Sequence, residues 1–251
     1  MTEVKSGSSK NKWIALIAMS LGVFMALLDV TVVNVALPTM AVDFNTTFSN
    51  LQWVLNAYTI VFASILLIVS KLGDMYGRKK IFMISMVIFV VASAINGLAT
   101  SLPVLIAGRA LQAIGGAGLN SLSMALVASN FEGKSRGTGM GILGSVIGLS
   151  TASGPLVGGY LVETFGWPSI FFVNVPIGII AFALSWKYVK ETPSYGKGQK
   201  IDFLGMLLSG AGLFTLVYGL IEKNNTLTGA GQIPVLWGGC WPELFCWLSL
   251  F

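Results

Sequence analysis

SKLGDMYGRKK, residues 70–80, is a short charged segment between two long apolar runs, 51–70 and 81–100. Each run has about the 20 residues that a helix needs to cross about 30 Å of hydrocarbon. Further apolar runs of similar length are 13–37, 103–128, 137–161, 169–187, 202–221 and 233–251. The pattern predicts an all-α polytopic membrane protein in which residues 70–80 join two membrane-spanning helices.

The residues of this segment suit a turn at a membrane surface. Gly73 and Gly77 permit a tight turn, and Asp74 can lie near the N-terminal end of the second helix, where the helix dipole favours a carboxylate. Arg78 and the two lysines after it suit a cytoplasmic surface, where anionic lipid attracts them. Anchoring explains the basic residues but neither Asp74 nor the glycines, so we treat Gly73, Asp74, Gly77 and Arg78 as candidate functional residues.

The basic residues predict the orientation of the chain. Thirteen of the fifteen Lys and Arg residues fall in segments that one threading through the bilayer places on the same side, the exceptions being Arg109 and Lys223. Because cytoplasmic loops carry an excess of basic residues, we expect a cytoplasmic N-terminus. The outer loops near 38–50, 100–103 and 162–168 contain no basic residue.

Composition excludes several classes of function. Hydrophobic residues make up 55% of the chain and charged residues 10%, whereas a soluble domain has about 25% charged residues. The formal net charge of +5 comes from short loops between helices, so orientation in the lipid bilayer explains it better than nucleic-acid binding does. Histidine is absent, and we find no nucleophile–base pair, metal-ligand cluster or phosphate loop. We therefore expect neither an enzyme nor a resident cofactor or metal.

The same pattern divides the chain into four parts. Residues 1–12 form a cytoplasmic tail, 13–187 a bundle of six membrane-spanning helices, 188–201 a cytoplasmic loop, and 202–251 one or two additional helices. The last segment, IPVLWGGCWPELFCWLSLF (233–251), has two adjacent glycines, a proline and a glutamate within an apolar run. We expect a truncated or frame-shifted end there, and an unusual terminal helix is the alternative.

The six-helix bundle contains a candidate internal repeat. SKLGDMYGRKKIF (70–82) aligns without gaps to GYLVETFGWPSIF (159–171), with Gly77 matching Gly166. The offset of 89 residues spans three helices, so the two copies have opposite orientations in the membrane. Inverted repeats of three helices each are typical of secondary transporters. Chance similarity between glycine-containing turns is the alternative.

Two opposite charges lie deep within apolar runs. By helical rise, Asp29 is about 24 Å from the inner end of its helix and Arg109 about 10 Å from the outer end of its own. An unpaired charge facing lipid costs at least about 2.5 kcal/mol, so both side chains should face the bundle interior. They are candidates for a proton or substrate relay, with a structural ion pair as the alternative. Asn34 and Gln112 are weaker candidates, because amides often form helix–helix hydrogen bonds.

The fifth apolar run has a face with almost no side chains. GTGMGILGSVIGLSTASGPLVGGYL (137–161) contains the candidate residues Gly154, Pro155, Gly158 and Gly159. Glycines allow another helix to approach closely, and the proline frees a backbone carbonyl and favours a bend. A helix that slides or bends between two states, and plain small-residue packing, explain this composition equally well.

Several motifs together resemble the major facilitator superfamily. SKLGDMYGRKK resembles its loop 2–3 motif, with Ser70 in place of a glycine, and LIAGRALQAIGGAG (105–118) resembles its helix 4 motif. GPLVGG (154–159) is similar to the antiporter motif of helix 5, with Ser150 where an upstream glycine is common. The further segments LDVTVVNVALP (28–38), FFVNVPIG (171–178) and DFLG (202–205) resemble the fourteen-helix drug:proton antiporters of the EmrB/QacA type.

The resemblance implies the N-terminal portion of a proton-driven exporter of drugs or other lipophilic or cationic small molecules, in a bacterial inner or plasma membrane. Asp29 would serve substrate or proton coupling and Arg109 proton transfer. Asp74 and Arg78 would belong to an inner gate, and Gly154 and Pro155 to a hinge. A metabolite or single-drug exporter is one alternative. A non-transporting remnant, or a chain that needs a partner half, is the other.

Overall fold

The computed structural model describes residues 9–192, 205 and 208–219, and every helix in this part follows one of the predicted apolar runs. The helices are α1 (Ser9–Asp43), α2 (Phe48–Tyr76), α3 (Arg78–Gly97), α4 (Leu102–Asn130), α5 (Lys134–Phe165), α6 (Ser169–Phe172), α7 (Asn174–Tyr188) and α8 (Leu208–Gly219).

Within the residues that the structure describes, six helical segments are long and apolar enough to cross a membrane. They are α1 to α5, and α6 with α7 counted together as the span Ser169–Tyr188. α8 is a shorter apolar helix. In lipid every backbone N–H and C=O must be satisfied within the segment, which is why runs of this length and composition form continuous helices. The all-α polytopic fold is confirmed.

The pattern of contacts between helices is similar in the two halves of the bundle, so exchanging the first three spans with the last three leaves the main contacts in place. The most extensive contacts join α3 to α4, α2 to α4, α1 to α5 and α1 to α7. Exchanging α1 with α4, α2 with α5, and α3 with α6–α7 converts α1–α5 into α4–α2 and α3–α4 into α7–α1. This packing agrees with the three-plus-three repeat, which stays a prediction.

α1 is longer than the apolar run on which it is based. The predicted run ends at residue 37, but the helix continues through Pro38 to Asp43. A proline removes one N–H donor, and a helix that broke there would expose several unsatisfied backbone groups. The outer loop predicted at 38–50 is therefore wrong in extent, because the connection to α2 is only residues 44–47. Trp167 Nε1 donates a 2.7 Å hydrogen bond to Asp43 Oδ2, so the end of α1 is fastened to the α5–α6 connection.

The segment 70–80, predicted to join two helices, is also mostly helical. α2 ends at Tyr76 and α3 begins at Arg78, so Gly77 alone forms the turn, with φ +109°. The aligned residue of the predicted repeat, Gly166, follows α5 with φ +79°. L-residues with a side chain rarely adopt these values, which explains a glycine at both positions.

Part of the C-terminal prediction can be compared with the fold. α8 lies within the predicted run 202–221. The prediction for 233–251 falls outside the described residues.

Candidate functional site

Asp29 and Arg109 meet in the interior of the bundle. Asp29 lies in α1 and Arg109 in α4, and each is about 1% exposed. Arg109 Nη1 donates to Asp29 Oδ2 at 2.5 Å. The expected inward orientation at matching depth is confirmed. Since an unpaired charge would be costly here, the pair is the arrangement in which both ions can be buried.

Side chains of three helices complete a hydrogen-bonded network around this pair. Gln112 Nε2 donates to Asp29 Oδ1 (2.9 Å) and to Ser93 Oγ (2.7 Å). Asn174 Nδ2, from α7, donates to the same Asp29 oxygen at 2.9 Å and lies 3.3 Å from Ser93 Oγ. Asn96 Nδ2 donates to Gln112 Oε1 at 2.9 Å, and Arg109 Nη1 donates to that oxygen at 2.6 Å. We call Asp29, Ser93, Asn96, Arg109, Gln112 and Asn174 the polar cluster; all are buried.

An aromatic ring and a backbone carbonyl hold the guanidinium of Arg109 from the α2 side. The guanidinium carbon lies 4.3 Å from the ring centroid of Tyr58, which is close enough for a cation–π interaction. Arg109 Nε donates to the carbonyl of Val54 at 3.3 Å. Arg109 therefore links α1, α2 and α4, so loss of its counter-charge would alter the contacts of all three helices.

The contacts of Asp29 are those of an ionised carboxylate. Its two oxygens accept hydrogen bonds from Arg109, Gln112 and Asn174, and none of these contacts offers an acceptor to a carboxylic O–H. A proton on Oδ2 would compete directly with the Arg109 donor. The Oδ1 atoms of Asn96 and Asn174 are buried acceptors without a partner among the described residues. Turning the Asn174 amide would present such an acceptor to a protonated Asp29.

The structure separates the four residues proposed for this site. Asp29, Arg109 and Gln112 lie together, but Asn34 is exposed and donates only to the carbonyl of Val30 in its own helix, at 2.9 Å. Asn34 is therefore not part of the polar cluster. Within the described residues no group of three or more His, Cys, Asp or Glu side chains is placed to bind a metal.

Three residues of the polar cluster are not among the candidates that the sequence predicts. They are Ser93, Asn96 and Asn174, three buried polar residues that interrupt apolar runs. A buried amide in lipid is expensive without partners, so Asn96 and Asn174 carried a usable signal. Asn174 also lies within FFVNVPIG, one of the motifs that carry the family resemblance.

The gate residues form a second polar site at the end of the bundle where the predicted inner loops lie. Arg78 Nε pairs with Asp74 Oδ1 at 2.8 Å, and Arg78 Nη1 reaches the carbonyl of Ala125 at 3.4 Å. Asp74 lies in the last turn of α2 and not at the start of α3. Gly73 is not a turn residue either, because it packs inside α2 where an added Cβ would clash with Leu122 of α4.

Glu191 takes the position expected for Asp74. Its carboxylate accepts hydrogen bonds from the backbone N–H groups of Lys79 (2.9 Å) and Lys80 (3.1 Å) at the N-terminus of α3. A carboxylate there satisfies free amides and complements the helix dipole. The residue follows α7, far away in sequence, so local spacing could not identify it.

The glycines of α5 have two different environments. A Cβ on Gly154 would clash with Thr31 Oγ1 of α1, and one on Gly158 would lie 3.1 Å from a Val32 methyl. Gly154 and Gly158 therefore allow α1 and α5 to touch. Pro155 and Gly159 lie off this contact, and Pro155 is exposed. The other glycines with nothing within 4 Å of an added Cβ in this helix are Gly137, Gly141, Gly144 and Gly148.

In the part of the chain that the structure describes, six apolar spans around a buried, ion-paired polar cluster define a polytopic membrane protein. Residues 19–251 match the family model of the Major Facilitator Superfamily. The chain belongs to this superfamily, as its motifs predicted.

The named relatives include a riboflavin transporter and two resistance proteins. The chain is 37% identical over 217 residues to the riboflavin transporter RibZ of Clostridioides difficile, covering 86% of this chain and 48% of RibZ. It is 36% identical over 246 residues to the multidrug resistance protein Stp of Mycobacterium tuberculosis, covering 96% and 45%. The methylenomycin A resistance protein of Bacillus subtilis is 36% identical over 220 residues, covering 87% and 47%. The chain thus spans about half the length of these relatives.

Solved structures show the same fold. A bacterial homolog of the human lysosomal transporter Spinster, in an inward-facing and unoccupied conformation, superposes with a TM-score of 0.65 at 22% identity. The match covers 75% of this chain and 45% of that one.

Proposed function

We propose that the chain is part of a proton-coupled exporter of drugs or other lipophilic or cationic small molecules, acting in a bacterial cell membrane with its N-terminus in the cytoplasm. The observation that carries the proposal is the buried Asp29–Arg109 pair, whose carboxylate has only hydrogen-bond donors around it. Relatives named for multidrug and methylenomycin resistance support drugs as substrates. We infer transport and not catalysis, because the cluster contains no activated nucleophile.

A proton arriving at Asp29 would work as a switch. Protonation removes the negative charge that balances Arg109 and places an O–H where the guanidinium N–H now donates. The pair must then separate, and Arg109 is left with Tyr58, Val54 and Gln112 as its partners. Because Asp29 is on α1 and Arg109 on α4, proton binding biases the contact between these two spans.

The reverse step would couple the proton to export. Loss of the proton restores the carboxylate, which draws Arg109, Gln112 and Asn174 back together and closes the α1–α4–α7 contact. A substrate that binds better when the cluster is open shifts the same equilibrium, so proton and substrate occupy opposite states. Such differential affinity is what a ligand needs to drive a conformational change.

A second candidate function is export of a metabolite. The relative that carries this alternative is the riboflavin transporter RibZ, at 37% identity. The switch described above would be unchanged, and only the molecule that binds the open state would differ. The chain spans about half the length of these relatives, so in both proposals it acts together with a partner half.

Efflux from cells tests the proposal. Cells that make the protein should lower their content of a lipophilic cationic dye, and an ionophore that collapses the proton gradient should abolish the difference. Asp29→Asn keeps the size of the side chain but cannot carry the proton, so it should remove efflux at unchanged membrane yield. Wild-type efflux by Asp29→Asn, or efflux that persists without a proton gradient, would reject proton coupling through Asp29.

A further inference from the structure

A purely apolar groove runs between α3 and α7. Its volume is about 300 Å³, and every residue that lines it is apolar. Val87 and Val91 form part of the α3 wall, and Ile179, Phe182 and Ala183 form part of the α7 wall. The polar cluster takes no part in this groove.

Both walls lead to exposed lysines at the same end of the bundle. On α3, Lys80, Ile84, Val87 and Val91 follow one another at helical spacings of four, three and four, and all four are exposed. Residues with this spacing share one face of a helix. Lys80 therefore continues the groove-lining face, about 10 Å from Val87 by helical rise.

The α7 wall has the same order. Ile179, Ala183 and Lys187 are spaced by four residues and are exposed, and Lys190 follows shortly after the helix ends. Lys79 Nζ donates to the carbonyl of Trp186 at 2.8 Å, which joins the two walls at their basic end.

Positive charge dominates this end of the groove. Among the described residues, Lys80, Lys187 and Lys190 form no ion pair. The charges facing them are the Asp74–Arg78 pair, which is neutral as a unit, and Glu191, whose oxygens accept hydrogen bonds from the backbone of Lys79 and Lys80. Lys79 adds a further positive charge. The balance leaves a net basic rim on a hydrocarbon-lined groove.

We propose that this groove binds one anionic phospholipid, with an acyl chain between α3 and α7 and the phosphate on Lys80, Lys187 and Lys190. The bilayer supplies hydrocarbon to any apolar groove on its surface, and basic clusters at the ends of membrane-spanning helices attract anionic headgroups. A helix of another chain would bury the apolar walls but would leave the three ammonium groups without counter-charge. The combination of an apolar wall and a basic rim therefore favours a lipid.

Native mass spectrometry of the purified chain provides the first test. Titration with phosphatidylglycerol and with phosphatidylcholine of the same acyl chains should show tighter binding of the anionic lipid. Lys187→Gln combined with Lys190→Gln should weaken phosphatidylglycerol binding by about fivefold for each lysine removed, with little effect on phosphatidylcholine. Lys134→Gln removes an exposed lysine at the start of α5 and serves as the matched control.

A second variant tests the groove itself. Ala183→Trp fills an exposed part of the wall and should lower the binding of both lipids, whereas Ala152→Trp changes an exposed alanine of α5 and should not. Photoactivatable phosphatidylglycerol in phosphatidylcholine vesicles should label peptides of α3 and α7, and the labelling should fall with the same variants.

Three results would overturn the proposal. They are unchanged phosphatidylglycerol affinity in the double lysine variant, an equal loss in Lys134→Gln, and competition by glycerol 3-phosphate as strong as that by the intact lipid. If Ala183→Trp changes the oligomeric state of the protein but leaves the number of bound lipids unchanged, the groove is an interface with a second copy of the chain.

Discussion

Asp29 on α1 accepts hydrogen bonds from both α4 and α7, so this one carboxylate joins three helices. Its partners are Arg109 and Gln112 on α4 and Asn174 on α7. Removing either member of a buried ion pair leaves the other uncompensated, and this is more damaging than removing both. The cluster is thus both a brace between helices and, in our proposal, the proton switch.

A double-mutant cycle separates the energy of the pair from that of the surrounding amides. We expect Arg109→Gln to destabilise the chain by about 3–5 kcal/mol, because it leaves the Asp29 carboxylate buried without a counter-charge. Asp29→Asn combined with Arg109→Gln should recover a large part of that loss, since both charges are gone. Thermal melting of the purified variants measures the effect. Additive losses in the double variant would show that the two charges do not interact.

At the scale of the helix, α5 contains a matched experiment. Gly154 faces Thr31 of α1, where an added Cβ would clash with the hydroxyl, whereas a Cβ on Gly148 would meet nothing within 4 Å. We expect Gly154→Ala to lower stability by about 1–3 kcal/mol through overpacking. Gly148→Ala should be neutral or slightly stabilising, because alanine favours the helix.

Melting temperature and membrane yield measure both variants. Equal melting temperatures and yields for Gly154→Ala and Gly148→Ala would show that α1 and α5 do not pack closely at Gly154.

Glu191 defines the start of α3 from a distant part of the sequence. Glu191→Ala should leave the Lys79 and Lys80 amides without acceptors, so their hydrogen exchange should accelerate by about two- to fivefold. Glu132→Ala, at an exposed glutamate in the α4–α5 connection, serves as the control. Unchanged exchange at residues 79 and 80 in Glu191→Ala would contradict the capping role.

Single helices were predictable wherever length and hydrophobicity decide the outcome. The six spans follow directly from apolar runs, because lipid leaves a chain of this composition few alternatives to a helix. Helix ends were less predictable. The helices continue through Pro38 and through the segment 71–76, although such residues often end a helix in a water-soluble protein. The capping by Glu191 and the amides of the cluster depend on tertiary contacts between distant residues.

At the scale of the whole molecule, the basic residues predict which ends of the spans share a side. In a variant with Cys240 and Cys246 replaced by serine, single cysteines at Lys80 and Lys187 should be labelled by a membrane-impermeant maleimide from one side. A cysteine at Val42, which is 78% exposed at the far end of α1, should be labelled from the other side.

Vesicles of known orientation distinguish the two sides. Labelling of Lys80→Cys and Val42→Cys from the same side of the membrane would contradict the predicted orientation of the spans.

We propose that Asp29 binds and releases a proton within the bundle, and infrared spectroscopy of the chain in lipid vesicles measures this directly. The chain has ten Asp and Glu residues, so the Asp29 signal is the difference between the wild type and Asp29→Asn. We predict that this difference spectrum contains a carboxylic-acid carbonyl band that appears reversibly as pH falls, and that the same band persists in the control Asp74→Asn. Identical pH-dependent spectra of Asp29→Asn and the wild type would show that Asp29 does not bind a proton in the pH range measured.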